Sequence, residues 1–440
     1  MSVKVALIGA RSRSFGPAVI ADLLLSAMQK LGRKRKIAAV NVPVRGAISN
    51  LSDDTGVEVP AWRDGREMQA TRMGTMLVDG HAHLFSMHEI PGVLRVMDGA
   101  GLSALAICCM PTNRAFRCDV NLNAAALLAK AMRPRSVYVF AGLDYTGRKG
   151  EEPDGKDLLR QARALVAIGA DGFKMLEGKP NVGRELGVRL DAPCYDDFYG
   201  WCEAEGIPIV LHVADPEENW LPATDPFLAE RGWSYADGAY PSKEELYRQA
   251  FRVFGRFPRL KVQLAHFFFL SADRRQAHEV LERFPSVTFD VTPGDEMYRN
   301  FAVDPDGWRG FFLSHRRRVV LGTDNTIGEY CRDNVAEAGR FAEKNVARGI
   351  EIIGLLRAFW ETRGKGPGNQ SGLALPPEVL EHLYAKNFLS RAGEAPRPLD
   401  IPGIVEHCLR MRASIGDDPN RRHVAREIDE IAQRLRAIGE

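Results

Sequence analysis

No stretch of this 440-residue chain stays apolar for long. A helix needs roughly 20 apolar residues to cross a bilayer, so no membrane span is expected. Charge of one sign is not in excess either: 59 lysines and arginines face 57 aspartates and glutamates, a formal net charge of +2. So even a balance points to neither a nucleic acid nor an anionic membrane as partner. Cysteine is sparse, and the seven present, the adjacent Cys108 and Cys109 among them, lack the spacing of a disulfide framework. That favours a reducing compartment, and the chain reads as cytoplasmic. The opening MSVKVALIGA is apolar but short, breaks at Gly9 and Arg11, and reads as a strand better than as a signal peptide. A hydrophobic content of 45% and a charged content of 26% exclude a disordered or fibrous chain.

What is present is alternation. From Met76 onward, short β-rich runs alternate with longer stretches whose apolar residues recur at helical spacing, as in NLNAAALLAKAM and KEELYRQAFRVFGRF. Eight strand candidates follow one another: MLVDGHAHL, LSALAICCM, SVYVFAGLD, DGFKMLEG, PIVLHV, KVQLAHF, VTFDVT and RVVLGTD. Met76 to Asp324 covers roughly the 250 residues typical of a (β/α)8 TIM barrel. An open doubly wound sheet is the alternative, and eight strands argue against it. The expected domains are an N-terminal βα appendage at 1–75, the α/β barrel at 76–395 and a C-terminal helical tail at 396–440.

Two connections are too long for turns. Ala214 to Ser242, rich in tryptophan and tyrosine, follows strand five, and TPGDEMYRNFAVDPDGW follows strand seven. Both leave the C-terminal ends of strands, where barrel enzymes keep their sites, so a lid or binding loop is expected. Trp220, Glu296 and Tyr298 are candidate pocket residues on position alone. The segment PEVLEHLYAKNFLSR is expected to pack outside the barrel, and the amphipathic HVAREIDEIAQRLRAIG could cover its floor or pair with a second subunit.

Polar residues at strand ends make a short list: His81 and His83 on strand one, Lys174 in strand four, His212 on strand five, His266 on strand six and Asp324 on strand eight. Residues i and i+2 of a strand point the same way, so His81 and His83 can grip one ion. Three histidines and an aspartate suit Zn²⁺ or another borderline divalent metal with positions open for water. One strand-end histidine is more often a satisfied core residue than a ligand, but such a set is hard to obtain by that route. His88, His278, His315, His382, His407 and His423 sit in helices or linkers and are read as structural, His88 least securely because its loop follows strand one.

The segments DGHAHLF, IVLHVAD, QLAHFFF and VVLGTDN, in this order, resemble the metal-dependent amidohydrolase superfamily, in the branch of small-acid hydrolases and non-oxidative decarboxylases. The resemblance spans about Met76 to Gly393. It implies metal binding by His81, His83, His212 and Asp324, with His266 binding a second metal or polarising the substrate. Lys174, in GFKMLEG, resembles the position where two-metal members carry a carboxylated lysine bridge. The alternative is a lysine that snorkels to solvent or pairs with Glu177, and one metal is the preferred count. A bound ion lowers the pKa of its water from about 15.7 towards 7. Asp324 would be ligand and base, and His266 or the metal would stabilise the oxyanion.

The stretches VKVALIGARSRSFGPAVIADLLLS and VNVPVRGAISNLSDDTGVEVPA resemble two pieces of the NAD-dependent family-4 glycosidases. The Gly9 to Gly16 spacing is not a dinucleotide fingerprint, and no room remains for the metal set of those enzymes. No NAD binding is expected from residues 1–75. The leading function is hydrolysis of an amide, ester or lactone in a small, carboxylated or neutral substrate. A decarboxylating lyase on the same barrel is the alternative; Arg114 and Arg117 are its obvious anion-binding candidates. A barrel retired to a scaffold and an NAD-dependent glycosidase are the remaining readings.

Overall fold

Eight parallel strands lie side by side in sequence order, β1 Val78–Ala82, β2 Ala104–Cys108, β3 Val137–Ala141, β4 Gly172–Gly178, β5 Ile209–Val213, β6 Val262–Leu264, β7 Val287–Asp290 and β8 Val319–Val320. The computed structural model describes residues 76–113, 118–146, 152–222, 228–229, 232–294, 296–326 and 335–440. The expected appendage at 1–75, and Arg114 and Arg117, lie outside them. Backbone bonds join the first and last strands: Gly80 N donates to Leu321 O at 2.9 Å and Asp324 N to His81 O at 2.9 Å. The sheet is therefore a (β/α)8 barrel, as the eight apolar runs predict.

Helices α1 Ile90–Ala100, α2 Asn121–Met132, α3 Gly155–Ala167, α4 Asp196–Glu205, α5 Lys243–Arg256, α6 Arg274–Arg283 and α7 Pro305–Ser314 lie between consecutive strands. Local chemistry sets their ends. Ser242 accepts from Glu245 N at the start of α5, and Asp273 and Asp304 do the same for α6 and α7. Gly101 and Gly206 end α1 and α4 in the left-handed conformation.

Side chains divide cleanly by face. On β5, Ile209, Leu211 and Val213 join the core under the helices, whereas Val210 belongs to a separate cluster inside the barrel. His212 shares the parity of Val210. By the same period of two, Lys174, Gln263 and Asp290 face the barrel axis above the apolar layer. Strand β1 breaks the period: its register against β2 slips between Asp79 and Ala82. Val78 and Gly80 thus line the floor while His81 and His83 line the mouth. Gly80 must lack a side chain, because a Cβ there would sit 2.7 Å from Val320 Cγ1 and 2.9 Å from Leu321 O.

The segment 377–392 does not pack on the outside as expected. Phe388 and Ala385 enter the interior cluster with Val78, Ala106, Tyr138 and Val320, so this helix, broken by a π-turn at His382–Lys386, plugs the barrel floor. The physical reason is that the inward apolar residues at the strand starts need a cover, and Phe388 meets Tyr138 edge-on at 5.0 Å. Asn387 anchors the plug by donating to Val319 O at 2.6 Å. After the long helix α8 Val335–Glu361, the tail helices α9 Ile401–Ile415 and α10 Arg422–Gly439 pack on each other and on α2, on the barrel wall. Glu427 on α10 accepts from Ser86 Oγ at 2.9 Å and Asn121 Nδ2 at 2.9 Å.

Phe388→Ala leaves a cavity that the strand starts cannot close. We expect a loss of about 3–5 kcal/mol in urea unfolding; a loss under about 1 kcal/mol would show that the plug does not hold the floor.

Candidate metal centre

The mouth is built around Asp290, the last residue of β7. Its Oδ2 accepts from His81 Nδ1 at 2.9 Å and from Gln263 Nε2 at 3.0 Å, and its Oδ1 from the backbone N–H of His266 at 2.8 Å and of Thr292 at 3.2 Å. A carboxylate only accepts, so the proton of His81 resides on Nδ1 and its Nε2 keeps a lone pair. His83 is fixed in the same way: its Nδ1 lies 2.6 Å from Cys108 O, an acceptor, which leaves Nε2 as the lone-pair nitrogen.

Both lone pairs turn to one place. His83 Nε2 lies 3.0 Å from Asp324 Oδ1, and His81 Nε2 lies 3.9 Å from the same oxygen. One donor atom from each of His81, His83 and Asp324 falls within 4.8 Å of the others. Two imidazole lone pairs and a carboxylate oxygen repel unless a cation or a proton stands among them. The donor set fits a divalent ion of the zinc class.

The electrostatics agree. Burial, helped by the Lys174 ammonium, lowers His81 to about 4, so its ring is unprotonated at Nε2 at neutral pH. Burial alone would raise the Asp324 carboxyl, but the His83 ring beside it and the other neighbouring imidazoles hold it well below the usual carboxylate range. Asp290 is held low in the same sense, its burial outweighed by His81. Lys174 is buried with Nζ 3.0 Å from His81 Nε2, and desolvation lowers its pKa.

His266 and His212 flank this trio without joining it. The His266 ring is 5.7 Å from that of His81 and 5.0 Å from that of His212. Its Nδ1 lies 3.3 Å from Thr292 O, an acceptor, so Nε2 is its free nitrogen. His212 directs Nε2 to Ala214 O at 2.9 Å and to Asp215 Oδ1 at 3.2 Å. Asp215 also takes Lys179 Nζ and, at 2.6 Å, the Tyr235 hydroxyl. Burial and Lys179 lower His212 to about 3.

Backbone strain collects at this rim. His266, Phe267, Phe268 and Phe269 all have φ between 50° and 56°, and Asp324 has φ 55°. Such left-handed non-glycine residues cost on the order of 1–3 kcal/mol each and persist only where their surroundings impose them. Here Phe267 packs on Phe289, Phe301 and Trp308, and Tyr247 donates to Phe268 O at 2.8 Å. Asp79 holds the other strained residue: it accepts from Thr323 Oγ1 at 2.6 Å, just before Asp324, and burial pushes its pKa up to about 7.

Of the candidate pocket residues, Trp220 donates to Pro241 O at 3.0 Å and packs on Tyr235 at 5.0 Å. Glu296 immediately precedes the helix Met297–Val303. Tyr298 is buried against Phe359, at 4.8 Å, with its hydroxyl on Val291 O. The sequence reading missed Asp290, Asp79 and Asp215. Asp290 was within its reach, being the carboxylate inside the seventh strand candidate; Asp79 and Asp215 lie close to histidines already chosen.

Comparison with known proteins bears on this centre. A family profile described as amidohydrolase matches residues 115–387, and one described as the family 4 glycosyl hydrolase C-terminal domain matches residues 12–88. Strand β1 thus lies under the second profile, although it completes the barrel of the first. No curated protein matches. Similar solved structures include 4-oxalomesaconate hydratase from Rhodopseudomonas palustris, at 14% identity and a TM-score of 0.41, covering 77% of this chain and 99% of that one. Another is 5-carboxyvanillate decarboxylase from Sphingomonas paucimobilis, at 13% identity and a TM-score of 0.41, covering 72% and 98%. A probable 2-pyrone-4,6-dicarboxylic acid hydrolase from Acinetobacter baumannii is similar at 12% identity and a TM-score of 0.39, covering 72% and 99%.

Asp290→Asn cannot serve both sides of its site, since an amide must present a donor where the carboxylate only accepts. Zinc affinity in a chelator-competition titration should fall by roughly 10- to 100-fold. An unchanged affinity would remove Asp290 from the centre.

Proposed function

We propose, for a chain that belongs to the amidohydrolase family of enzymes, that it hydrolyses a carbonyl-type bond, an amide, ester or lactone, in a small substrate, carboxylated ones being the first to test. The observation that carries this reading is the meeting of two Nε2 lone pairs, fixed by acceptors at Nδ1, with the Asp324 carboxylate. His81, His83 and Asp324 would hold the ion, Zn²⁺ on this donor set; His212, whose Nε2 is committed to Ala214 O and Asp215, would join them only through Nδ1. When bound, it lowers the pKa of water towards about 7 and polarises a carbonyl.

The chain's own groups do the rest. The Asp324 side chain is 38% exposed and opens to the mouth, so it can take the proton of the attacking water. Neutral His266, with its proton on Nδ1, cannot donate from Nε2. It can take there the proton that Asp324 removes from the water and pass it on to the leaving group, or it can hold a second ion instead. Asp290 holds His81 in one tautomer throughout. Lys174, beside His81, is the residue that could become a carboxylated bridge if two ions bind. Trp220 and Glu296, on the loops after β5 and β7, are the proposed substrate contacts, with Tyr298 supporting the second loop from the core. The appendage at 1–75, the barrel at 76–395 and the tail at 396–440 are the proposed domains, with catalysis confined to the barrel.

A panel of lactones, amides, esters and aromatic or unsaturated acids, assayed with and without chelator, tests this. We expect hydrolysis that chelation abolishes and zinc restores, and a fall of about 10²–10⁴-fold in kcat for Asp324→Asn. Carbon dioxide as product would replace the hydrolase by the decarboxylase, and turnover indifferent to chelator would overturn the metal reading altogether.

A further inference from the structure

On the outer wall of the barrel, apart from the strand-end histidines, a second set of ligand-type side chains meets. His278 and Glu282 are four residues apart on α6, hence on one face of that helix. His315 follows the last residue of α7 and precedes β8. In a parallel barrel every helix-to-strand turn lies at the end opposite the mouth, so His315 is remote from the centre described above.

Their donor atoms converge. His278 Nδ1 lies 2.8 Å from His315 Nε2, and Glu282 Oε1 lies 4.0 Å from His315 Nδ1. One donor atom from each of the three falls within 4.8 Å of the others. A shared proton accounts for the imidazole pair alone; it leaves Glu282 too far away to accept a hydrogen bond. A metal ion draws all three in, and His278 and Glu282 are exposed, so their side chains can close the remaining gap. His315, by contrast, is buried and pinned by its backbone bond to Phe311 O at 2.9 Å. An open cleft of about 670 Å³, lined by Asn300, Asp304, Trp308, His278 and His315, leaves room for water on the ion's other positions.

We propose that His278, Glu282 and His315 form a peripheral divalent-metal site, of zinc-class preference, that clamps α6 to α7. Two nitrogens and one carboxylate oxygen are the ligands such an ion takes when it keeps a water position. The sequence reading assigned both histidines to structure, because they sit in helices or linkers and not at strand ends.

The test is zinc stoichiometry on the full chain, by titration against a chromophoric chelator, with melting temperature followed in parallel. His278→Ala, at an exposed position, should bind one equivalent fewer than wild type and show a zinc-dependent rise in Tm a few degrees smaller than that of wild type. Glu282→Gln should weaken the same equivalent by at least tenfold. His83→Ala should lose a different equivalent, at the barrel mouth, and keep the share of the zinc-dependent rise in Tm that His278→Ala loses, which separates failure of this site from failure of the central one. Equal stoichiometry and an equal Tm response in wild type and His278→Ala would overturn the proposal and leave a plain imidazole pair.

Discussion

The mouth of this barrel depends on the hydrogen bond between His81 Nδ1 and the Asp290 carboxylate. Without it the buried His81 ring could take either tautomer, and its Nε2 would not be committed to the centre. The same carboxylate holds the His266 and Thr292 amides, so one residue at the end of β7 ties together three segments of the site. Such multiple acceptance keeps a buried carboxylate ionised, where desolvation alone would neutralise it.

Strain is the second constraint. The turn from His266 to Phe269 and the residue Asp324 are held left-handed, a conformation disfavoured for side chains with a Cβ. The aromatic cluster under Phe267 and the Asp79 to Thr323 bond fix these turns from below. The core of the barrel is thus coupled to the aim of its rim residues: packing beneath β6 sets the position of His266, and a buried acid beneath β1 sets that of Asp324.

Much of this was legible in the sequence. The eight strands could be seen because each is a short apolar run bounded by turn residues, and the period of two placed His81 and His83 on one face. The register slip in β1 was not legible: it lets Val78 and Gly80 face inward together with His81 and His83, and only the pairing with β2 reveals it. The floor plug was misplaced for a related reason. An amphipathic pattern says that a face is buried, but not against what, and Phe388 found the strand starts inside the barrel instead of the outer helices. His212 shows the limit most clearly, since its strand position was read correctly while its Nε2 turned to Asp215. Tertiary partners choose the direction of a ring, and a sequence carries no mark of that choice.

The most direct measurement is a crystal structure of zinc-loaded protein, with the ion located by anomalous scattering at the zinc edge. The account predicts a peak at the barrel mouth about 2.0–2.2 Å from His81 Nε2, His83 Nε2 and an Asp324 oxygen, with the Asp290 bond to His81 intact. A fully loaded crystal with no peak among these three residues would contradict it.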